Sequence, residues 1–234
     1  MKRSNWVTLG VFLVLIPLTL FLGSKIPGRL YYITGTLIII ELMIPFFMAF
    51  EGRKPQAREL VLVAVMCALA IAGRVVIPLP HFKAAFAIIM LAGIAFGPET
   101  GFMVGAITAF ASNFFYGQGA FTPWQMFAYG AGGMLAGFCF RPGWLPRKPW
   151  IMAVFGFLAN ILWMGPLLDC SSIFLMLSRI TWSAIVTVFL AGLYVNVMQG
   201  LGTAAVLLFL GRPMLEKLNR IKVKYGLLGI PNKM

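Results

Sequence analysis

Between Phe115 and Gly130 the chain reads FYGQGAFTPWQMFAYG, a dense set of groups able to recognise a small molecule. Tyr116, Gln118, Thr122, Trp124, Gln125 and Tyr129 combine flat aromatic faces with amide and hydroxyl edges. Such a set suits a planar organic ligand, because aromatic faces stack on rings while amides and hydroxyls match their heteroatoms. Gly117 and Gly119 lack a Cβ, so the loop backbone can approach a ligand closely or move as a lid. Trp and Tyr also collect at membrane interfaces purely as anchors, and for each single aromatic both uses stay open. Gln118, Gln125 and the more distant Asn160 favour recognition, since anchoring does not require amides.

Catalytic chemistry is poorly served. One histidine and six Asp and Glu, spread over separate segments, do not form a clustered acid, base or metal set, which argues against a membrane-embedded enzyme. Cys67, Cys139 and Cys170 are scattered without metal-ligand spacing, and their odd number predicts no disulfide framework. There is no glycine-lysine P-loop or other nucleotide cradle.

The elements that must position these groups are membrane helices. Hydrophobic residues make up 61% of the 234 and charged ones 11%, too few charges to cover a soluble domain. The net charge of +13 then reflects basic cytoplasmic loops rather than nucleic-acid binding. Apolar runs predict spans over Trp6–Leu22, Leu30–Phe50, Ala57–Ala72, Ala84–Gly97, Gly101–Phe115, Pro123–Phe140, Trp150–Leu168 and Ser183–Gly211. The first run has the length of a signal peptide, but no convincing small-residue cleavage site follows, so it reads as a retained helix. The chain thus divides into an N-terminal pair with a charged linker (1–56), a six-helix core (57–211) and a basic cytoplasmic tail (212–234).

Charge sets the orientation. With Met1 inside, only Lys25, Arg29, Arg74, Lys83 and Arg179 of the 19 Lys and Arg fall outside, which predicts a multi-pass protein of the cell membrane with both termini cytoplasmic. The outer ends then gather Arg74, His81 and Lys83 after the third span. Asn113, Tyr116, Gln118, Trp124, Gln125 and Tyr129 follow around the fifth and sixth. Asp169, Ser171, Ser172, Arg179 and Trp182 form a last outer loop, with Asn160 and Trp163 pointing into the bundle a turn or two below. His81 is either a solvated loop residue or part of a gate. Glu41, alone in the second span, is expected to pair with a neighbouring helix or to stay protonated, with a proton site as the sharper alternative.

Small residues recur every four positions on three helices: Ala64, Ala68 and Ala72; Gly101, Gly105 and Ala109; Gly133 and Gly137. That spacing lines them on one face where another helix can approach closely. The glycine faces read as packing within one bundle. The alanine face, the six-helix body and the Gly- and aromatic-rich outer loop together resemble the S components of energy-coupling factor (ECF) transporters, over about Ala57–Gly211. The N-terminal pair departs from that six-helix pattern. The resemblance implies an all-α membrane protein that captures a vitamin outside the cell, and Ala64, Ala68 and Ala72 as its docking face on a transmembrane coupling subunit. It further implies two cytoplasmic ATPases as partners that consume the ATP, with no cofactor or metal held by this chain.

Within the resemblance the loop GQGAFTPWQM is more similar to S components for cobalamin or queuosine precursors than to those for riboflavin, thiamine or biotin. This puts a corrinoid such as cobalamin first, with a queuosine precursor or another heterocyclic vitamin as alternatives. An autonomous secondary transporter would show inverted repeats and midplane charges, and only Glu41 fits.

Overall fold

The computed structural model describes residues 7, 10–25, 31–53, 55–76, 81–177 and 179–224, without the side chains of residues 24 and 31. Among them the chain forms helices and no strand. In order these are α1 (Ile16–Lys25), α2 (Tyr31–Gly52), α3 (Ala57–Val75), α4 (Ala85–Phe96), α5 (Pro98–Tyr116), α6 (Thr122–Phe140), α7 (Pro149–Met176) and α8 (Trp182–Lys224). The eight expected spans thus each meet a helix, although Trp6, Leu30 and the tail beyond Lys224 lie outside the described residues. Helices α2, α7 and α8 are long and apolar enough to cross a membrane.

Helix α4 is the axis of the bundle. All twelve of its residues are buried, against α3, α5, α6 and α8. A helix apolar on every side belongs inside, and this one has neighbours all round instead of lipid. Gly97 joins it directly to α5 with a φ of 107°, a conformation that favours glycine, and Pro98 opens the next helix. The glycine faces pack within the bundle as expected. A Cβ on Gly101 would sit 2.5 Å from the Gly133 carbonyl oxygen, and one on Gly137 would sit 2.7 Å from the Pro98 backbone. Backbone therefore meets backbone where α4, α5 and α6 cross, which is what small residues permit.

Two π-helical turns share one cause. Val11–Leu15 precedes Pro17, and Asn160–Met164 precedes Pro166 inside α7. A proline cannot donate to the carbonyl four residues back and its ring crowds that carbonyl, so the preceding turn widens. Ile16 accordingly donates to Val11, and Gly165 to Asn160, each five residues back.

Helix α7 runs eight residues past its expected end at Leu168, so Asp169, Ser171 and Ser172 are helical and not part of an outer loop. Their polarity resembles a loop in sequence but is satisfied inside the bundle. Ser171 and Ser172 donate to the Leu168 carbonyl at 2.7 and 3.2 Å, and Asp169 accepts from Asn196 at 3.0 Å. The segment from Arg212 is likewise helical as far as Lys224. Leu215 and Leu218, three apart, are buried in the core cluster that contains Leu62 and Phe140.

Helix α2 lies on this core. Phe46 and Phe47 meet the Phe102 ring at 4.6 and 5.7 Å, and Ile39, Met43 and Phe50 are buried. Arg53, just beyond it, bonds Glu99 at 3.3 Å and Thr100 at 3.2 Å, pinning the linker to the start of α5. Glu41 pairs with a neighbouring helix, accepting from Thr19 of α1 at 2.5 Å.

Candidate ligand-binding site

The polar groups at the end of the bundle that holds residues 117–121 form one network whose directions can be deduced. Arg74 of α3 reaches two residues of α5, the Ser112 hydroxyl and, at 3.1 Å, Asn113 Oδ1. A guanidinium only donates, so Asn113 must turn its oxygen toward Arg74 and its amide nitrogen away. That nitrogen donates to Thr122 Oγ1 at 3.2 Å and to Gln125 Oε1 at 2.8 Å, both on α6. The Gln125 oxygen is thereby occupied, and its Nε2 has no partner among the described residues. Arg74 has set the direction of an amide two steps away.

The rest of the network fastens the loop. Gln118 donates to the Phe110 carbonyl at 2.9 Å and accepts from Thr122 at 2.9 Å, while the Gly119 N–H donates to Thr122 Oγ1 at 3.2 Å. Tyr116 donates to the Arg74 carbonyl at 2.8 Å. The Arg74 guanidinium lies over the rings of Tyr116 and Tyr129, with centroids 5.0 and 5.5 Å away. Arg74, Asn113, Tyr116, Gln118, Gln125 and Tyr129 are thus brought together, and most of their polar capacity is used on one another.

Gln125 links this network to a cavity of about 620 Å³ between α2, the start of α6 and α7. Its wall includes Tyr32, Phe121, Gln125, Leu168, Ser171 and Ser172, and among the described residues no charged side chain. Because both serine hydroxyls donate to Leu168, what they keep for a ligand is acceptor lone pairs. The cavity therefore offers an amide donor, two hydroxyl acceptors, a phenol and apolar surface. That inventory suits an uncharged heterocycle carrying both a carbonyl and N–H or O–H groups.

Trp124, Asn160 and Trp163 lie away from the network. The Trp124 ring stacks on Phe174 at 5.5 Å and is 6% exposed. Asn160, in the π turn, donates to Gly156 at 2.8 Å and to Thr203 of α8 at 3.1 Å. Trp163 packs on the cluster around Phe102 and Ala131. All three keep a buried polar atom without a partner among the described residues: Trp124 Nε1, Asn160 Oδ1 and Trp163 Nε1. Thr36 Oγ1 on α2 does the same. Glu41 Oε2, also on α2, is a fifth, and each such group costs on the order of 1–3 kcal/mol while unmet.

His81 and Arg179 are exposed and outside both groups. His81 meets Tyr194 edge to face at 6.1 Å, with a φ of 58°. Ala64, Ala68 and Ala72 are exposed on α3 beside Val61, Val65 and Leu69, so this face points away from the bundle. Tyr32 and Thr36, four apart on α2, lie outside the six-helix resemblance and are not among the expected site residues; their helical spacing is the sequence signal that places them on one face.

Residues 54–216 match the family model for the S component of the ECF-type riboflavin transporter. The chain belongs to that family. No curated protein and no solved structure matches it. As an S component it is a membrane protein and a transporter subunit, not an enzyme. The matched segment begins after α2 and takes in α3 to α7 and most of α8, in agreement with the six-helix resemblance. The N-terminal pair of this S component lies outside the match.

Proposed function

We propose that this S component captures a flavin-sized, uncharged heterocyclic vitamin from outside the cell, in the cavity between α2, α6 and α7. The loop 117–121 faces outward, both termini are cytoplasmic, and a transmembrane coupling subunit docks on Ala64, Ala68 and Ala72. Two ATPases then supply the energy for inward release. The observation that carries the ligand reading is the orientation chain from Arg74 through Asn113, which leaves the Gln125 amide donor free on the cavity wall. Both the family description and the cavity volume favour riboflavin over cobalamin, since a corrinoid with its appended nucleotide is far larger than a tricyclic ring with a short hydroxylated chain.

Titration of the purified protein with riboflavin, followed by quenching of flavin fluorescence, tests this, with cobalamin and a queuosine precursor as competitors. Riboflavin should bind tightest. Gln125→Glu, which replaces the donor by an acceptor, should weaken it on the order of tenfold to a hundredfold. Tighter binding of cobalamin would overturn the ligand, and unchanged affinity in Gln125→Glu would move the site elsewhere.

A further inference from the structure

Helix α2 is outside the family-matched segment, yet one face of it lies against the core, buried from Ile39 to Phe50 and half-buried above. Ile39, Met43 and Phe50 are buried there, and Phe46 packs on Phe102. The same helical spacing carried upward leads through Thr36 to Tyr32. Gly35 shows how closely this end is seated. A Cβ there would stand 3.4 Å from the Trp124 ring and 3.6 Å from Phe174, so α2 rests directly on that stacked pair. Tyr32, one turn above, reaches the cavity wall shared with Phe121 and Gln125, and its hydroxyl has no partner among the described residues. Thr36 Oγ1, one turn below, is buried and unpartnered, as is Trp124 Nε1 across the same seam. Polar groups belonging to a helix that merely anchored the chain in lipid would turn to water or be paired; these face the core.

We infer that α2 is a wall of the capture site, and that Tyr32 is a specificity residue supplied by the N-terminal pair. This rests on the functional reading above. Tyr32 and Phe121 give aromatic surface to an uncharged ring, while Gln125, Ser171 and Ser172 pair with its heteroatoms. Removing either set weakens binding, but through different groups: the α2 contribution is contact area and one hydroxyl, the α6 contribution a directed donor.

The full-length purified protein is titrated with riboflavin as wild type, Tyr32→Ala, Tyr32→Leu, Gln125→Glu and Ile33→Ala, with ligand-free melting recorded for each. Ile33, next along α2, is exposed and serves as the control. Tyr32→Ala should weaken binding by about tenfold or more with an unchanged melt, and Ile33→Ala should leave it alone. If Tyr32→Ala lowers the melt, Tyr32→Leu keeps apolar bulk and gives the same reading. Loss of binding in Gln125→Glu with both Tyr32 variants as wild type overturns the inference and leaves the functional reading standing. Failure of the wild type to bind riboflavin overturns the functional reading and the inference with it.

Discussion

On α5, Gly101 and Gly105 press against the backbone of α6, while on α3 the alanines at 64, 68 and 72 are exposed among the described residues. The spacing is the same, four residues, and the use is opposite. The glycine faces are load paths inside the bundle, where no side chain fits between two backbones. The alanine face is an outward surface that the described residues leave uncovered. Spacing shows that a face is shallow; only the neighbours show whether it is already filled.

That contrast can be broken by enlarging single residues and recording thermal melting in detergent. Gly105→Leu should have the largest effect, about 3 kcal/mol or more, because any Cβ there collides with the Tyr129 carbonyl, which cannot rotate away. Gly133→Ala should cost about 1–3 kcal/mol, its methyl falling 2.5 Å from the Gly101 carbonyl oxygen. Ala68→Leu should change stability by no more than about 0.5 kcal/mol, as expected for an exposed position. A destabilised Ala68→Leu, or a neutral Gly105→Leu, would erase the distinction between the two faces.

Much of the helical order was legible because apolar runs of membrane length leave few alternatives, and the glycine faces because close packing needs small residues. The end of α7 was not. Asp169, Ser171 and Ser172 interrupt an apolar run, and their partners Leu168 and Asn196 are visible only once α7 and α8 lie side by side. The residue types of the site were readable in FYGQGAFTPWQM, but their division of labour was not. Gln118 and Gln125 look equivalent in sequence, yet Gln118 spends both ends of its amide on Phe110 of α5 and Thr122 of α6 while Gln125 keeps its donor. Tyr32 lies in a helix outside the six-helix pattern.

The most direct test of an S component that captures by itself and transports only when docked is Ala68→Trp, assayed for binding and for uptake side by side. Riboflavin affinity of the purified variant should stay within about twofold of wild type, since the substituted face is exposed and remote from the cavity. Uptake by cells carrying the coupling subunit and ATPases should fall by about tenfold or more, because a bulky ring blocks close helix approach. Unchanged uptake would contradict docking on this face, and equal loss of binding and uptake would contradict the separation of capture from coupling.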